Sequence, residues 1–280
     1  IVLLKNEGAL LPLARDTAAI AFIGPLVQAT RDNHGGWAVA VPGADYGQFI
    51  VSQWQGVRAA LAPSSRLIYA KGCDIEGNDR TGFDEALAAA RAAQVVVLSL
   101  GERFDMSGEA RSRARIGLPG VQMELARAVL ATGKPVVVLI NAGRPLVFNE
   151  IADRAQAILY TWWLGSEAGN AIADVLFGRV NPSAKLPITF PRDEGQIPLY
   201  YNHPATGRPA TAGKVEDYKS TYLDVPNTPR YAFGHGLSYT RFDYADLRLD
   251  RTTLAGQNTL TATLQVKNAG PRASDEVVQL

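Results

Sequence analysis

Short apolar runs alternate with stretches of helical spacing, and this alternation is the feature that most constrains the fold. The clearest runs are Ala18–Gly24, Gln94–Leu100 and Pro135–Asn141. A strand that is apolar on both sides must be covered on both faces, as it is in parallel sheets flanked by helices. The sequence therefore predicts an α/β fold with a mostly parallel sheet and helices on both faces.

Further strands and helices extend the alternation over about residues 18 to 190. Additional strands are predicted at Arg66–Ala70, Ala155–Trp162 and Lys185–Phe190. Apolar residues at helical spacing predict helices at Gln48–Leu61, Phe83–Ala93, Val121–Thr132 and Ser166–Phe177. The order of the strands in the sheet does not follow from this pattern.

The composition changes after Pro191. Residues 191–240 contain six prolines and six tyrosines with little periodicity, which fits either a long ordered loop or a linker. The tyrosines favour order, because disordered segments are poor in aromatic residues. From Phe242 onward, apolar and polar residues alternate with a period of two, which is typical of an antiparallel β module.

Charge and composition argue against several classes of partner and chemistry. The formal net charge of +1 gives no reason to expect nucleic acid or an anionic membrane as a partner. No apolar run approaches the ~18 residues of a membrane span. The single cysteine, Cys73, rules out an intrachain disulfide, and the three histidines lack metal-ligand spacing. No phosphate-binding glycine loop follows the first strand, which argues against a nucleotide site, and no nucleophile elbow supports catalysis by a serine nucleophile.

The strongest candidate for chemistry is the loop that follows the strand Gln94–Leu100. It carries three carboxylates and four arginines, namely Glu102, Asp105, Glu109, Arg103, Arg111, Arg113 and Arg115. Ligands gather at the carboxyl ends of strands in open α/β sheets, so a carboxyl group here can serve as a general acid or base. Position alone does not separate Glu109 from its rival Glu102. Either of them can also be a loop side chain that is simply paired with an arginine.

Two other loops that follow predicted strands hold candidate binding residues. Gly35-Gly36-Trp37 can present a flat aromatic face of the kind on which sugars stack, or Trp37 can be partly buried in its loop. Asn141 and Arg144 follow the strand Pro135–Asn141. They either bind a ligand or belong to a structural turn.

Several motifs occur in a fixed order along the chain. They are Ile1–Leu13, Phe22–Pro25, Gly35–Trp37, Ser107–Arg113, Leu118–Gly120, Gly133–Leu146, Ser166–Arg192, Gln196–His203 and Tyr231–Phe242. Together they resemble the C-terminal part of glycoside hydrolase family 3, in particular bacterial periplasmic β-glucosidases. No single motif carries this resemblance, but their number and order do.

The resemblance implies four parts in this chain. Residues 1–17 would be the end of an inter-domain connector, and 18–192 an α/β sandwich domain that carries the acid/base loop. Residues 193–241 would be a connecting segment, and 242–280 the truncated start of a fibronectin type III-like β-sandwich. A barrel domain would precede the chain. The apolar residues Ile1–Leu4, along with the Trp37 loop, would then be candidates for an interface that is exposed without the barrel.

The resemblance also implies retaining hydrolysis of terminal β-linked glucose by two carboxyl groups, with no cofactor. It assigns the acid/base to Glu109 rather than Glu102, makes Arg113 a supporting residue and places Trp37 in the substrate pocket. Relatives often have an acidic residue between that arginine and the Leu-Pro pair, whereas this chain has 114–117, Ala-Arg-Ile-Gly. The acid/base loop is therefore expected to be held differently here.

The nucleophile would be an aspartate of the barrel, so we expect the isolated chain to be inactive. The resemblance implies a periplasmic or secreted enzyme whose partners are a carbohydrate substrate and its own barrel. Within the family, β-xylosidase and exo-glucanase specificities are alternatives. From a different class, a non-catalytic carbohydrate-binding or scaffolding domain is the second hypothesis.

Overall fold

The computed structural model describes residues 1–39, 43–205, 207–211 and 214–279. Its main sheet consists of β1 (Val2–Asn6), β2 (Ala19–Ile23), β3 (Arg66–Ala70), β4 (Val95–Gly101), β5 (Val136–Asn141) and β6 (Ala157–Tyr160). The strand order is β1-β6-β5-β4-β2-β3. β1 runs antiparallel to β6, and the other neighbouring pairs are parallel. The prediction of a mostly parallel sheet is confirmed.

Helices cover both faces of this sheet. They are α1 (Arg31–His34), α2 (Gln53–Ala60), α3 (Phe83–Arg91), α4 (Gln122–Leu130), α5 (Asn149–Arg154) and α6 (Ala168–Leu176). Residues of α3, α4 and α5 pack in one apolar core, and residues of α2 and α6 pack in a second one. Alternate residues of β4 serve the two cores, with Val96 and Leu98 in the first and Val95 and Val97 in the second. Burial on both faces explains why these strands are continuous apolar runs.

The N-terminal apolar run is an edge strand of the sheet. Val2, Leu3 and Leu4 are buried, and only Ile1 is partly exposed. The expectation that Ile1–Leu4 forms an exposed interface is therefore wrong. Pairing of β1 with β6 directs Leu3 into one core and Val2 and Leu4 into the other, so the run is apolar because it is doubly covered.

The prediction of a last strand at Lys185–Phe190 is also wrong. Pro187 interrupts the segment and has no N–H to donate to a neighbouring strand. The amides of Leu186 and Phe190 instead donate to the carbonyls of His235 and Tyr231, at 2.8 Å each. The segment therefore pairs with the irregular stretch that returns after it, outside the sheet.

The C-terminal part contains an antiparallel pair, β7 (Phe242–Leu249) and β8 (Ala262–Asn268). The period-two alternation that begins at Phe242 predicted such a module, and its assignment as fibronectin-like stays a prediction. Among the residues that the structure describes, no helix is both long and apolar enough to cross a bilayer.

Candidate functional site

Two of the loops predicted to hold functional residues lie side by side at the carboxyl ends of the parallel strands. The chain passes from β2 to β3 on one side and later from β4 to β5 on the other, so the order reverses between β2 and β4. In open α/β sheets this switch point is where ligands bind. The loop after β2 carries Trp37, and the loop after β4 carries Glu102 and Glu109. The topology thus brings these two loops together at the switch point.

Glu102 follows β4 directly and is fully buried. The preceding Gly101 has a φ of +148°, and a Cβ at this position would lie 1.9 Å from the carbonyl oxygen of Asn141. Only glycine fits this close approach. The amide of Glu102 donates to the same carbonyl at 2.8 Å, so the carboxylate enters the interior at the strand end.

Two arginines neutralise the buried Glu102 carboxylate. Nη1 of Arg113 lies 2.5 Å from Glu102 Oε1, and Nε of Arg144 lies 3.0 Å from the same oxygen. Buried carboxylates are tolerated only when they are paired and hydrogen-bonded, and both conditions hold here. Both oxygens of Glu102 are engaged, since Nε of Arg144 also lies within 3.3 Å of Oε2. Glu102 therefore has the geometry of a counter-ion to the two arginines and not that of a carboxyl group available to a substrate.

Arg144 also forms hydrogen bonds to the loop backbone on both sides of Glu109. Its Nη2 donates to the carbonyl of Met106 and, at 2.7 Å, to that of Arg111. The carbonyl of Arg144 in turn accepts a hydrogen bond from the hydroxyl of Tyr160, whose burial raises its pKa. The sequence leaves Arg144 either as a ligand-binding residue or as part of a structural turn. These contacts correspond to the structural role.

Glu109 lies at the exposed tip of this loop. The backbone turns sharply on both sides of it, with a φ of +127° at Gly108 and +56° at Ala110. Positive φ is rare for a residue with a side chain, and such conformations concentrate at functional sites. No side chain or backbone group in the described ranges forms a hydrogen bond or an ion pair with the Glu109 carboxylate. Glu109 therefore differs from Glu102 in both burial and pairing.

The loop that carries Trp37 contacts the loop that carries Glu109. The indole of Trp37 is 73% exposed and lies against Gly108, where an added Cβ would be 3.5 Å from it. The amide of Phe104 donates to Asp32 Oδ1 at 3.0 Å, and the guanidinium of Arg31 lies 3.8 Å from the centroid of the Phe104 ring. Burial of Asp32 raises its pKa. Sequence reasoning did not identify Arg31 and Asp32. Their position shortly before Gly35-Gly36-Trp37 is the one sequence feature that could have pointed to them.

Asn141 belongs to a buried amide network beneath these loops. Its Nδ2 donates to Asn33 Oδ1 at 2.8 Å, and its Oδ1 accepts from Thr161 Oγ1 at 2.5 Å. Nε2 of Gln53 donates to Asn33 Oδ1 at 2.8 Å and to Asn141 Oδ1 at 3.2 Å. All four side chains are buried, so Asn141 takes the structural alternative and supports the loop that begins with α1.

Comparison with known proteins finds similar sequences along the whole chain. The model of the glycosyl hydrolase family 3 C-terminal domain matches residues 1–239. A periplasmic beta-glucosidase from Salmonella typhimurium is 42% identical over an alignment of 301 residues, gaps included, and this alignment covers 100% of this chain and 39% of that protein. A beta-xylosidase from Formosa agariphila is 40% identical over 281 residues, which cover 100% of this chain and 38% of that protein. The chain thus spans about two fifths of the length of these curated relatives.

Solved structures show the same similarity. A beta-glucosidase from Listeria innocua in complex with isofagomine has a TM-score of 0.80 and 41% identity, covering 88% of this chain and 34% of that one. A mutant beta-glucosidase from the same organism in complex with laminaribiose has a TM-score of 0.81 and 34% identity, covering 98% of this chain and 41% of that one. The structural similarity extends over nearly the whole chain.

Proposed function

The chain belongs to glycosyl hydrolase family 3, and we propose that it supplies the acid/base carboxyl group of a retaining, exo-acting β-glucosidase. The proposed activity is that of a longer protein, in which a preceding barrel domain provides the nucleophile. The contrast between two carboxyl groups carries this proposal. Glu102 is buried between two arginines, whereas Glu109 is exposed at a loop tip beside Trp37.

Glu109 acts in both steps of the proposed reaction. In the first step the barrel carboxylate attacks the anomeric carbon, and Glu109 protonates the departing glycosidic oxygen. In the second step Glu109 takes a proton from the water molecule whose oxygen breaks the glycosyl–enzyme bond. An exposed tip suits both steps, because the leaving group must depart and water must enter at the same carboxyl group.

The surrounding residues support a fixed position for Glu109. Arg144 bonds the loop carbonyls on both sides of it, and Arg113 is anchored on the buried Glu102. We assign Arg113 a supporting role on this basis. A catalytic group that is held in place before the substrate arrives lowers the entropic part of the barrier.

The substrate class follows from Trp37 and from the relatives. The exposed indole beside Gly108 offers a face for the sugar or aglycone next to the leaving-group oxygen. The Salmonella relative supports a β-glucosidase and a periplasmic or secreted location. The Formosa relative supports β-xylosidase as the alternative specificity, and exo-glucanase activity remains a further one within the family.

Leaving-group dependence tests the proposed role of Glu109. In the full-length enzyme, Glu109→Ala should lower kcat/KM, which reports the first step, by about 10²–10⁴-fold for alkyl glucosides and far less for activated aryl glucosides. The isolated chain should not hydrolyse either substrate. Equal losses on both substrates contradict the role of Glu109. A full-length protein that binds glucosides without cleaving them favours the non-catalytic alternative.

A further inference from the structure

We propose that Glu194 is a positioning residue for the acid/base loop. Its carboxylate lies in the segment after the α/β region, far from the loop in sequence. Oε1 of Glu194 accepts a hydrogen bond from the amide of Ile116 at 2.6 Å, and Oε2 lies 3.4 Å from Nη1 of Arg115. The consequence for catalysis rests on the proposed function, because it acts through Glu109.

The Ile116 amide lies in the part of the loop that returns to the core, residues 113–117, which we call the arm of the loop. Ile116 is buried, and its carbonyl accepts a hydrogen bond from the amide of Val147 at 2.9 Å. One residue later, the carbonyl of Gly117 accepts from Nη2 of Arg113 at 3.3 Å. Glu194 therefore completes the hydrogen bonding of this arm, and its loss leaves a buried N–H without its acceptor.

The carboxylate of Glu194 comes from a turn that is braced on several sides. Gln196 is buried; its Oε1 accepts from the amide of Arg192 at 2.7 Å, and its Nε2 donates to the carbonyl of Pro226 at 2.8 Å. The side chain of Asn149, on α5, donates to the carbonyl of Arg192 at 2.6 Å. The turn thus fixes Glu194 relative to the sheet, so the carboxylate can fix the loop.

The local sequence explains why the anchor comes from outside the loop. Between Arg113 and Leu118 the chain has no acidic residue, and it places Arg115 there instead. The carboxylate that bonds this arm therefore comes from another segment. It belongs to Glu194, and its negative charge is directed at Arg115.

The two contacts of Glu194 differ in strength. Arg115 is 92% exposed, so its ion pair at 3.4 Å is screened by water and contributes little. The bond to the Ile116 amide is short and charge-assisted. Glu194→Gln keeps an oxygen acceptor for the amide, whereas Glu194→Ala removes it. Arg115→Ala removes only the ion pair.

Hydrogen–deuterium exchange tests the anchor without any activity. In the 280-residue chain, Glu194→Ala should speed exchange of the Ile116 amide by on the order of tenfold, since its closed state is weakened. Glu194→Gln and Arg115→Ala should stay close to the unaltered chain. Glu150→Ala is the matched control, because that exposed glutamate is paired with Arg127 and does not contact the loop. Unchanged exchange in Glu194→Ala overturns the proposal.

Kinetics of the full-length enzyme test the effect on Glu109. Glu194→Ala should lower kcat/KM, which reports the first step, about tenfold more for alkyl glucosides than for activated aryl glucosides, and Glu194→Gln should restore it. A merely structural role lowers both values equally. If Glu109→Ala shows leaving-group selectivity and Glu194→Ala does not, positioning by Glu194 is wrong while the proposed function stands. If Glu109→Ala itself shows none, the proposed function fails, and the catalytic role of Glu194 fails with it.

Discussion

Replacing Glu102 by alanine tests whether this buried carboxylate anchors Arg113 and Arg144. The exposed Glu109 has no such anchoring role in the described part of the chain. The substitution removes a fully buried carboxylate and leaves the guanidinium groups of Arg113 and Arg144 without their shared partner. Breaking a buried ion pair costs about 3–5 kcal/mol of unfolding free energy. We expect about 3 kcal/mol, the lower end of this range. The reason is that the two arginines are 24% and 16% exposed and can recruit water.

Urea unfolding of the 280-residue chain, followed by tryptophan fluorescence, measures this loss. With an m-value of about 3 kcal/mol per molar, the midpoint for Glu102→Ala should fall by about 1 M. Glu109→Ala is the matched control, because its carboxylate is exposed, and it should change the unfolding free energy by less than about 0.5 kcal/mol.

Two results would refute this reasoning. A midpoint for Glu102→Ala within experimental error of the unaltered chain would show that Glu102 does not anchor the two arginines. A comparable loss in Glu109→Ala would show that the loop tip contributes to the fold. In the second case, a loss of activity on replacing Glu109 would no longer indicate chemistry.

Two further predictions concern packing and pH. Gly143→Ala places a Cβ 2.0 Å from Ser107 Oγ, and urea unfolding should show a loss of about 1–3 kcal/mol that Ser107→Gly partly restores. Burial raises the pKa of the Cys73 thiol from 9.0 to about 12. The unfolded chain therefore loses this proton first as the pH rises, and the stabilisation present below pH 9 is lost between pH 9 and about 12, by up to about 1.4 kcal/mol per unit. Unfolding free energies at pH 8.5 and 10.5 should fall more steeply for the unaltered chain than for Cys73→Ala, and equal slopes contradict this.

The central strands were predictable because burial on both faces leaves a continuous apolar run. The prediction of Arg66–Ala70 coincides with β3, and Gln94–Leu100 overlaps β4 closely. An apolar run does not reveal what covers it, so the pattern of Ile1–Leu4 fits an exposed interface as well as the buried edge strand that the structure shows. The apolar spacing predicts a helix over Gln48–Leu61, but α2 begins only at Gln53. A reciprocal cap between Ser52 and Gln55 sets this start, and it is a local signal that the spacing alone does not include.

The site was predictable at the level of loops but not of contacts. Trp37 and Glu109 both follow strands, so their common edge follows once the sheet is parallel. Spacing could not separate Glu102 from Glu109, because burial and pairing with distant arginines distinguish them. The contacts of Arg144 and Glu194 join side chains to remote backbone groups, and no local pattern encodes such bonds.

Azide rescue of full-length Glu109→Ala tests the central claim most directly. Without its base, the variant should accumulate glycosyl–enzyme from an activated aryl β-glucoside, and azide should release it because this nucleophile needs no deprotonation. We predict restored turnover with β-glucosyl azide as the product, and no such rescue in Glu102→Ala. Rescue of Glu102→Ala instead, or no glycosyl azide from Glu109→Ala, would contradict the assignment of Glu109 as the acid/base.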